Sequence, residues 1–234
     1  MVVARLKVAR KMKQNLKNIV SIIFCGSIAL NCTSFKPDNH ALREGDILFQ
    51  NLKCGELCEA ISEVTHGING RDFSHCALVV EINDTLKVIE AIGEKVQINS
   101  LEDFFSRDED VASKKGSIVG RLKPEYDSLI GKVVLNAKNL LGQPYDDAFL
   151  LDNEKWYCSE LIYEAFKIAS NGNEFFPLEP MTFKSPKTQT FFPAWVDYYK
   201  SLGLEIPEGK PGTNPGLISR SEKLEIFEYN GNNN

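Results

Sequence analysis

The chain has 234 residues, 43% hydrophobic and 25% charged, with a formal net charge of −5. That is ordinary globular material with enough apolar residues for one sizeable core, and it argues against a collagenous, low-complexity or disulfide-dense chain. The charge is unevenly spread: residues 1–37 contain no Asp or Glu but carry Arg5, Lys7, Arg10, Lys11, Lys13, Lys17 and Lys36. Without the six basic residues that precede Cys32, 27 positive charges become 21 against 32 negative, a net of −11. Such an acidic body argues against nucleic acid as a partner, because phosphates need Lys and Arg. It also offers no polybasic surface to an anionic bilayer.

The basic segment runs into an apolar stretch of 12 residues, 19–30, followed by Asn31-Cys32-Thr33-Ser34. The stretch is too short to span a bilayer, which takes about 20 residues. A basic segment, a short apolar run and a cysteine at the cut point predict a secretory signal peptide over 1–31, with Met12 as an alternative start, and a tether over 32–42. Ala29-Leu30-Asn31-Cys32 resembles a bacterial lipobox, in which the cysteine is diacylated and the chain is cut before it. Asn31 departs from the small residue usual at that position, and an uncleaved anchor is the alternative. The expected location is the cell envelope outside the cytoplasm, with the body held at a membrane surface through lipid on Cys32.

Within the body, 43–229, Arg43-Glu44-Gly45-Asp46 reads as a turn into a short apolar strand, Ile47-Leu48-Phe49. Residues 54–65 have the spacing of a helix, with Leu57, Ile61 and Val64 on one face. Cys54 and Cys58 sit four apart in it. With His66 they lack the second ligand pair of a zinc site, and that spacing in one helix suits a disulfide poorly, so two partly buried thiols are expected. No metal or cofactor site emerges. A strand over 73–82, a turn at Asn83-Asp84 and a strand over 86–91 predict a hairpin. A short helix over 101–105 follows an Asn99-Ser100 cap, and a strand covers 118–122. Residues 126–141 read as a helix, with Leu129, Val133, Ala137 and Leu140 on one face and Gly142 as its stop. From Tyr157 a helix places Leu161, Ile162, Ala165, Phe166 and Ala169 on the side of Cys158. Phe191 to Trp195 is core or pocket wall, 224–229 is a last strand, and 230–234 is a disordered tail.

Two segments carry the chemistry. Cys158 opens a helix, where the dipole and unpaired backbone N–H groups favour a thiolate. His75 lies on a strand, where it can take the thiol proton and hold the ion pair. His precedes Cys in the chain, so the fold must bring distant residues together. A Cys in an apolar helix is more often core, and a strand His more often a satisfied polar residue; the combination predicts a cysteine hydrolase. Cys76, one residue on from His75, alternates away from it and reads as core.

Six motifs occur in order: Gly45-Asp46-Ile47-Leu48-Phe49, Ser74-His75, Val88-Ile89-Glu90-Ala91, Gly142-Gln143-Pro144-Tyr145-Asp146, Tyr157-Cys158-Ser159-Glu160-Leu161 and Pro211-Gly212-Thr213-Asn214-Pro215. Together they resemble the YiiX/YebB-like permuted papain-like amidases, relatives of the NlpC-type cell-wall peptidases, over about residues 43–225. The resemblance implies an α+β, circularly permuted papain-like fold, an antiparallel sheet or half-barrel packed on the nucleophile helix. It also implies Cys158 as nucleophile, His75 as base and Glu90 as its orienter, working through a thioacyl-enzyme. An even-numbered loop between the hairpin strands puts Glu90 on the His75 face; Glu81 and Asp72 are weaker substitutes. The Cys158 N–H can supply one oxyanion donor, and Tyr145, then Gln50, are candidates for a second donor or a substrate contact. The expected substrate is a small or peptide amide, from cell-wall peptides or lipid amides. Two alternatives remain: a lipid acyltransferase or phospholipase of the lecithin–retinol acyltransferase type, which generally carries a second His where this chain has Glu90, and a non-catalytic binding lipoprotein.

Overall fold

The computed structural model describes residues 41–52, 55–108 and 117–229. The signal segment, Cys32, most of the tether, Cys54 and the tail lie outside them. Six antiparallel strands form one sheet in the order β4-β3-β2-β1-β5-β8. They are β1 (Ile47–Gln50), β2 (His75–Ile82), β3 (Thr85–Ile92), β4 (Lys95–Ser100), β5 (Ser117–Leu122) and β8 (Leu224–Tyr229). Two hairpins build one half of the sheet. Asn83 and Asp84, both at positive φ (52° and 58°), make a two-residue turn between β2 and β3, the twist that suits a tight hairpin. Gly93 (φ 65°) and Glu94 make the turn into β4.

Strand alternation divides the apolar side chains between two faces. Ile47, Phe49, Cys76, Leu78, Val80 and Ile89 pack against α3 (Ile130–Asn139) and α4 (Cys158–Ala169). Leu48, Ala77, Val79, Val88 and Val119 pack on the other face with Phe104 of α2 (Leu101–Ser106). A third cluster lies apart: Ala60 of α1 (Glu56–Ser62) meets Phe183 and, from α5 (Pro193–Leu202), Trp195 and Tyr199. A short ribbon, β6 (Glu179–Pro180) with β7 (Pro211–Gly212), and α6 (Pro215–Ser219) complete the elements.

Several expectations shift. The 126–141 helix enters as a 3-10 turn, Pro124–Leu129, and becomes α-helical at Ile130, because Pro124 opens the segment and a tighter first turn satisfies its carbonyls. Helix α1 stops at Ser62, where Val64 and Thr65 close with i→i−3 bonds. Strand β4 and helices α5 and α6 were not anticipated. Cys58 is disulfide-bonded rather than a free thiol. Cys76 and Cys158 are both free, so its partner lies outside the described residues. Leu42, assigned to the tether, packs against the second core face.

One buried ion pair fixes the sheet's start. Asp46 is 1% exposed and accepts from Arg121 Nε and NH2, both at 2.8 Å, and from the Arg43 N–H at 2.9 Å. Removing one partner of a buried pair costs more than the pair contributes, because a charge is left uncompensated. Asp46→Ala should therefore lower stability by about 3–5 kcal/mol in urea unfolding. A loss below about 1 kcal/mol would mean that Arg121 finds water or another acceptor without penalty.

Candidate active site

Helix α4 begins at Cys158 because Tyr157 is still extended (φ −89°, ψ 168°) and the following residues keep one apolar face buried. Thr213 locks this start in place: its N–H donates to Tyr157 Oη and its carbonyl accepts from Ser159 Oγ, each at 3.2 Å. The Pro211–Pro215 motif is built for that contact. A Cβ on Gly212 would lie 2.4 Å from Met181 Sδ, and Asn214 caps α6 by accepting from the Leu217 N–H at 2.7 Å. The motif's role is to dock on the helix that carries Cys158.

The β2–β3 turn has two residues, so Glu90 falls on the His75 face, as expected. Register puts Glu90 across from Ala77, diagonal to His75. His75 Nε2 donates to Glu90 Oε2 at 2.6 Å, and both side chains are buried. The other carboxylate oxygen accepts from Asn99 Nδ2 at 2.7 Å and Arg107 NH2 at 2.5 Å. Asn99 comes from β4 and Arg107 closes α2, so three successive elements converge on one carboxylate. Asp72 pairs instead with His66 at 3.1 Å.

With Nε2 committed to Glu90, one ring nitrogen of His75 remains open, and Cys158 lies near enough to act on the imidazole. Cys76 projects from the opposite face of β2 and also hydrogen-bonds Cys158, through both thiol and backbone. These contacts set the protonation states. The Cys158 thiol is held well below its usual value by the Cys76 hydrogen bond first, which with His75 outweighs burial. Burial works to lower His75, but the Cys158 and Glu90 hydrogen bonds and charges win and raise it from 6.5 to about 9. Burial likewise works to raise Glu90, yet His75 and then Arg107 hold it at about 2. Cys76, raised by burial and by the neighbouring thiolate, keeps its proton. At neutral pH the arrangement is thiolate, imidazolium and carboxylate in a row. Glu160, on the first turn of α4, behaves oppositely. Burial raises it to about 9, so it is neutral and adds no negative charge beside the thiolate.

Cys158 opens onto a cleft of about 180 Å³ between the main core and the Trp195 cluster. Tyr145 lines it, held by its N–H donating to Glu94 O at 2.8 Å; burial, then the Cys158 charge, raises its phenol, so the hydroxyl stays protonated. Gln50 lies opposite His75 in the β1–β2 register, but its amide donates to Phe104 O at 2.9 Å and it does not line the cleft. The Phe104 carbonyl, exposed by the end of α2, takes the donor that an oxyanion would need. Asn99, Arg107 and Cys76 were not recognised as site residues from sequence. Only Asn99, ahead of a helix cap, carried any local signal.

The family model of the permuted papain-like amidase enzymes, YaeF/YiiX, C92 family, matches residues 41–227. Uncharacterized protein YiiX of Escherichia coli strain K12 is 29% identical over 190 residues, covering 79% of this chain and 89% of that one. The crystal structure of metalloprotein yiiX from Escherichia coli O157:H7 superposes with a TM-score of 0.65 at 25% identity, covering 80% of this chain and 97% of that one. Among the described residues here, no group of three or more His, Cys, Asp and Glu side chains is arranged to hold a metal ion. Glu90, the buried carboxylate of the site, is already engaged by His75, Asn99 and Arg107. The fold, the ordered motifs and these matches agree: the chain belongs to the permuted papain-like amidase enzymes of the YaeF/YiiX, C92 family.

Proposed function

We propose that this chain is a cysteine amidase that works through a thioacyl-enzyme, with Cys158 as nucleophile, His75 as acid and base, and Glu90 as orienter. The observation that carries the reading is the buried His75–Glu90 hydrogen bond at 2.6 Å, with Cys158 close enough to act on the same imidazole. The Cys158 thiolate attacks the amide carbonyl, forming a carbon–sulfur bond. The Cys158 N–H at the helix start and the Tyr145 hydroxyl are the donors available to the oxyanion. His75 then passes its proton to the leaving amine as the carbon–nitrogen bond breaks. It next takes a proton from water, which cleaves the thioester and frees Cys158. Glu90 keeps the ring in one tautomer and stabilises the imidazolium.

Residues 1–31 serve in this proposal as a lipoprotein signal, with the mature enzyme held outside the cytoplasm by lipid on Cys32. Fatty-acid labelling in cells should tag the wild type, and Cys32→Ser should lose the tag. Detergent, not salt, should release the protein, because the acidic body supplies no second electrostatic attachment. Release by salt alone would contradict lipid anchoring.

The protonation states give a pH profile. The rate kcat/KM should have an acid limb well below the value of an ordinary thiol near 8.5. Its alkaline limb should fall near pH 9, where His75 loses the proton the leaving group needs. Stability should behave differently. The contribution of His75, raised on folding, is lost as pH rises towards about 9; that of Cys158, lowered on folding, is lost as pH falls. Between about 6.5 and 8.5 the pair holds one proton in both folded and unfolded chains, so its contribution there is flat. A rate profile whose acid limb lies near 8.5 would sink the ion pair.

Glu90→Gln keeps the shape but removes the negative charge that stabilises the imidazolium. It should lower kcat by roughly 10²–10⁴-fold with little change in KM. Full activity in this variant would remove Glu90 from the mechanism.

A further inference from the structure

The cleft beside Cys158 is mainly apolar. Its apolar lining is Ile61, Val64, Phe149, Met181, Phe183 and Trp195, and its polar lining is mostly neutral. Among its described lining residues, Glu179 is the only Asp, Glu, Lys, Arg or His, and it is exposed. Asp146 and Asp147 lie close enough to act on Tyr145. A carboxylate entering here would leave water, meet no cation among the described walls and face acidic neighbours. An unpaired charge is not buried on those terms.

Two buried polar atoms of the lining residues have no partner: Thr213 Oγ1 and Trp195 Nε1. Each residue is 3% exposed. The Thr213 main chain is fully engaged by Tyr157 and Ser159, so its hydroxyl is held beside the nucleophile with nothing to bond. The Trp195 indole is fixed edge-on to Phe183 and Phe149, at centroid distances of 4.9 and 5.9 Å. Both atoms are fully shielded, so a ligand in the cleft does not reach them and the recognition rests on the apolar lining. An engineered apolar cavity of about 150 Å³ holds benzene, so this cleft takes a chain of about six carbons before reaching its mouth.

The cleft also has a side. His75 must reach the leaving amine, yet it does not line the cleft. The leaving group therefore lies towards His75, and the cleft receives the acyl group that stays on sulfur. Resting on the cysteine-amidase reading above, we propose that the substrate's acyl part is uncharged and mainly apolar.

The test is pre-steady-state acylation of the full protein by p-nitrophenyl esters. In each, Cys158 Sγ forms a bond to the acyl carbon and p-nitrophenolate leaves. Acetyl, hexanoyl, glutaryl and 6-aminohexanoyl esters would be compared near neutral pH, each normalised to its spontaneous hydrolysis. Burying four extra methylenes should make hexanoyl on the order of 100-fold faster than acetyl, and faster than the glutaryl and 6-aminohexanoyl esters by a similar factor. Met181→Lys should turn the preference towards glutaryl. Equal or faster reaction of either charged ester in the wild type would overturn the proposal while leaving a Cys158-dependent burst intact. A burst that survives Cys158→Ala would overturn the amidase reading itself, and this proposal with it.

Discussion

The site depends on one buried carboxylate. Glu90 is 0% exposed and ionised, a condition that would be unaffordable in an apolar interior without partners. Three donors meet it from three elements: His75 on β2, Asn99 on β4 and Arg107 at the end of α2. Each satisfies the charge, and each is fixed by it. The hairpins must keep their register, and α2 must end where it does, or the carboxylate is left exposed to a low dielectric. The same constraint holds the His75 ring in place near Cys158.

From that anchor the chemistry propagates outward. A pinned imidazolium lowers the cost of the neighbouring thiolate, and the thiolate in turn raises the imidazole, so each ion supports the other. Cys76 joins from the second face of β2 as a hydrogen-bond donor. Helix α4 can thus start with a buried thiolate because β2 supplies partners from both of its faces, and Thr213 holds that start by two hydrogen bonds. The neutral Glu160 on the same turn follows from burial in the absence of a cation.

Parts of this were legible in the sequence because they are local. Asn83-Asp84 between two β-rich runs announces a two-residue hairpin, and its even length settles the face of Glu90. The apolar spacing after Tyr157 announces α4 and the buried side of Cys158. What escaped depends on distance. Arg107 lies 17 residues from Glu90, and no spacing rule links a helix end to a strand carboxylate across a sheet. Strand β4 was missed because it is short: Lys95 to Asn99 alternates, but Val96 and Ile98 are its only apolar residues. Helix α5 was hidden by its aromatic start, and only packing against Phe183 and Ala60 reveals it as one wall of a cleft. The Cys58 disulfide was missed because a cysteine at helical spacing reads as a partly buried thiol.

The most direct measurement of this account is the protonation of His75 by ¹⁵N NMR in the resting protein at pH 7.5, assigned through loss of the signal in His75→Gln. With the imidazole value near 9, both ring nitrogens should carry protons and show imidazolium shifts, with the Nε2 proton far downfield from its short bond to Glu90. A neutral ring with one unprotonated nitrogen at that pH would contradict the thiolate–imidazolium pair and the role given to Glu90.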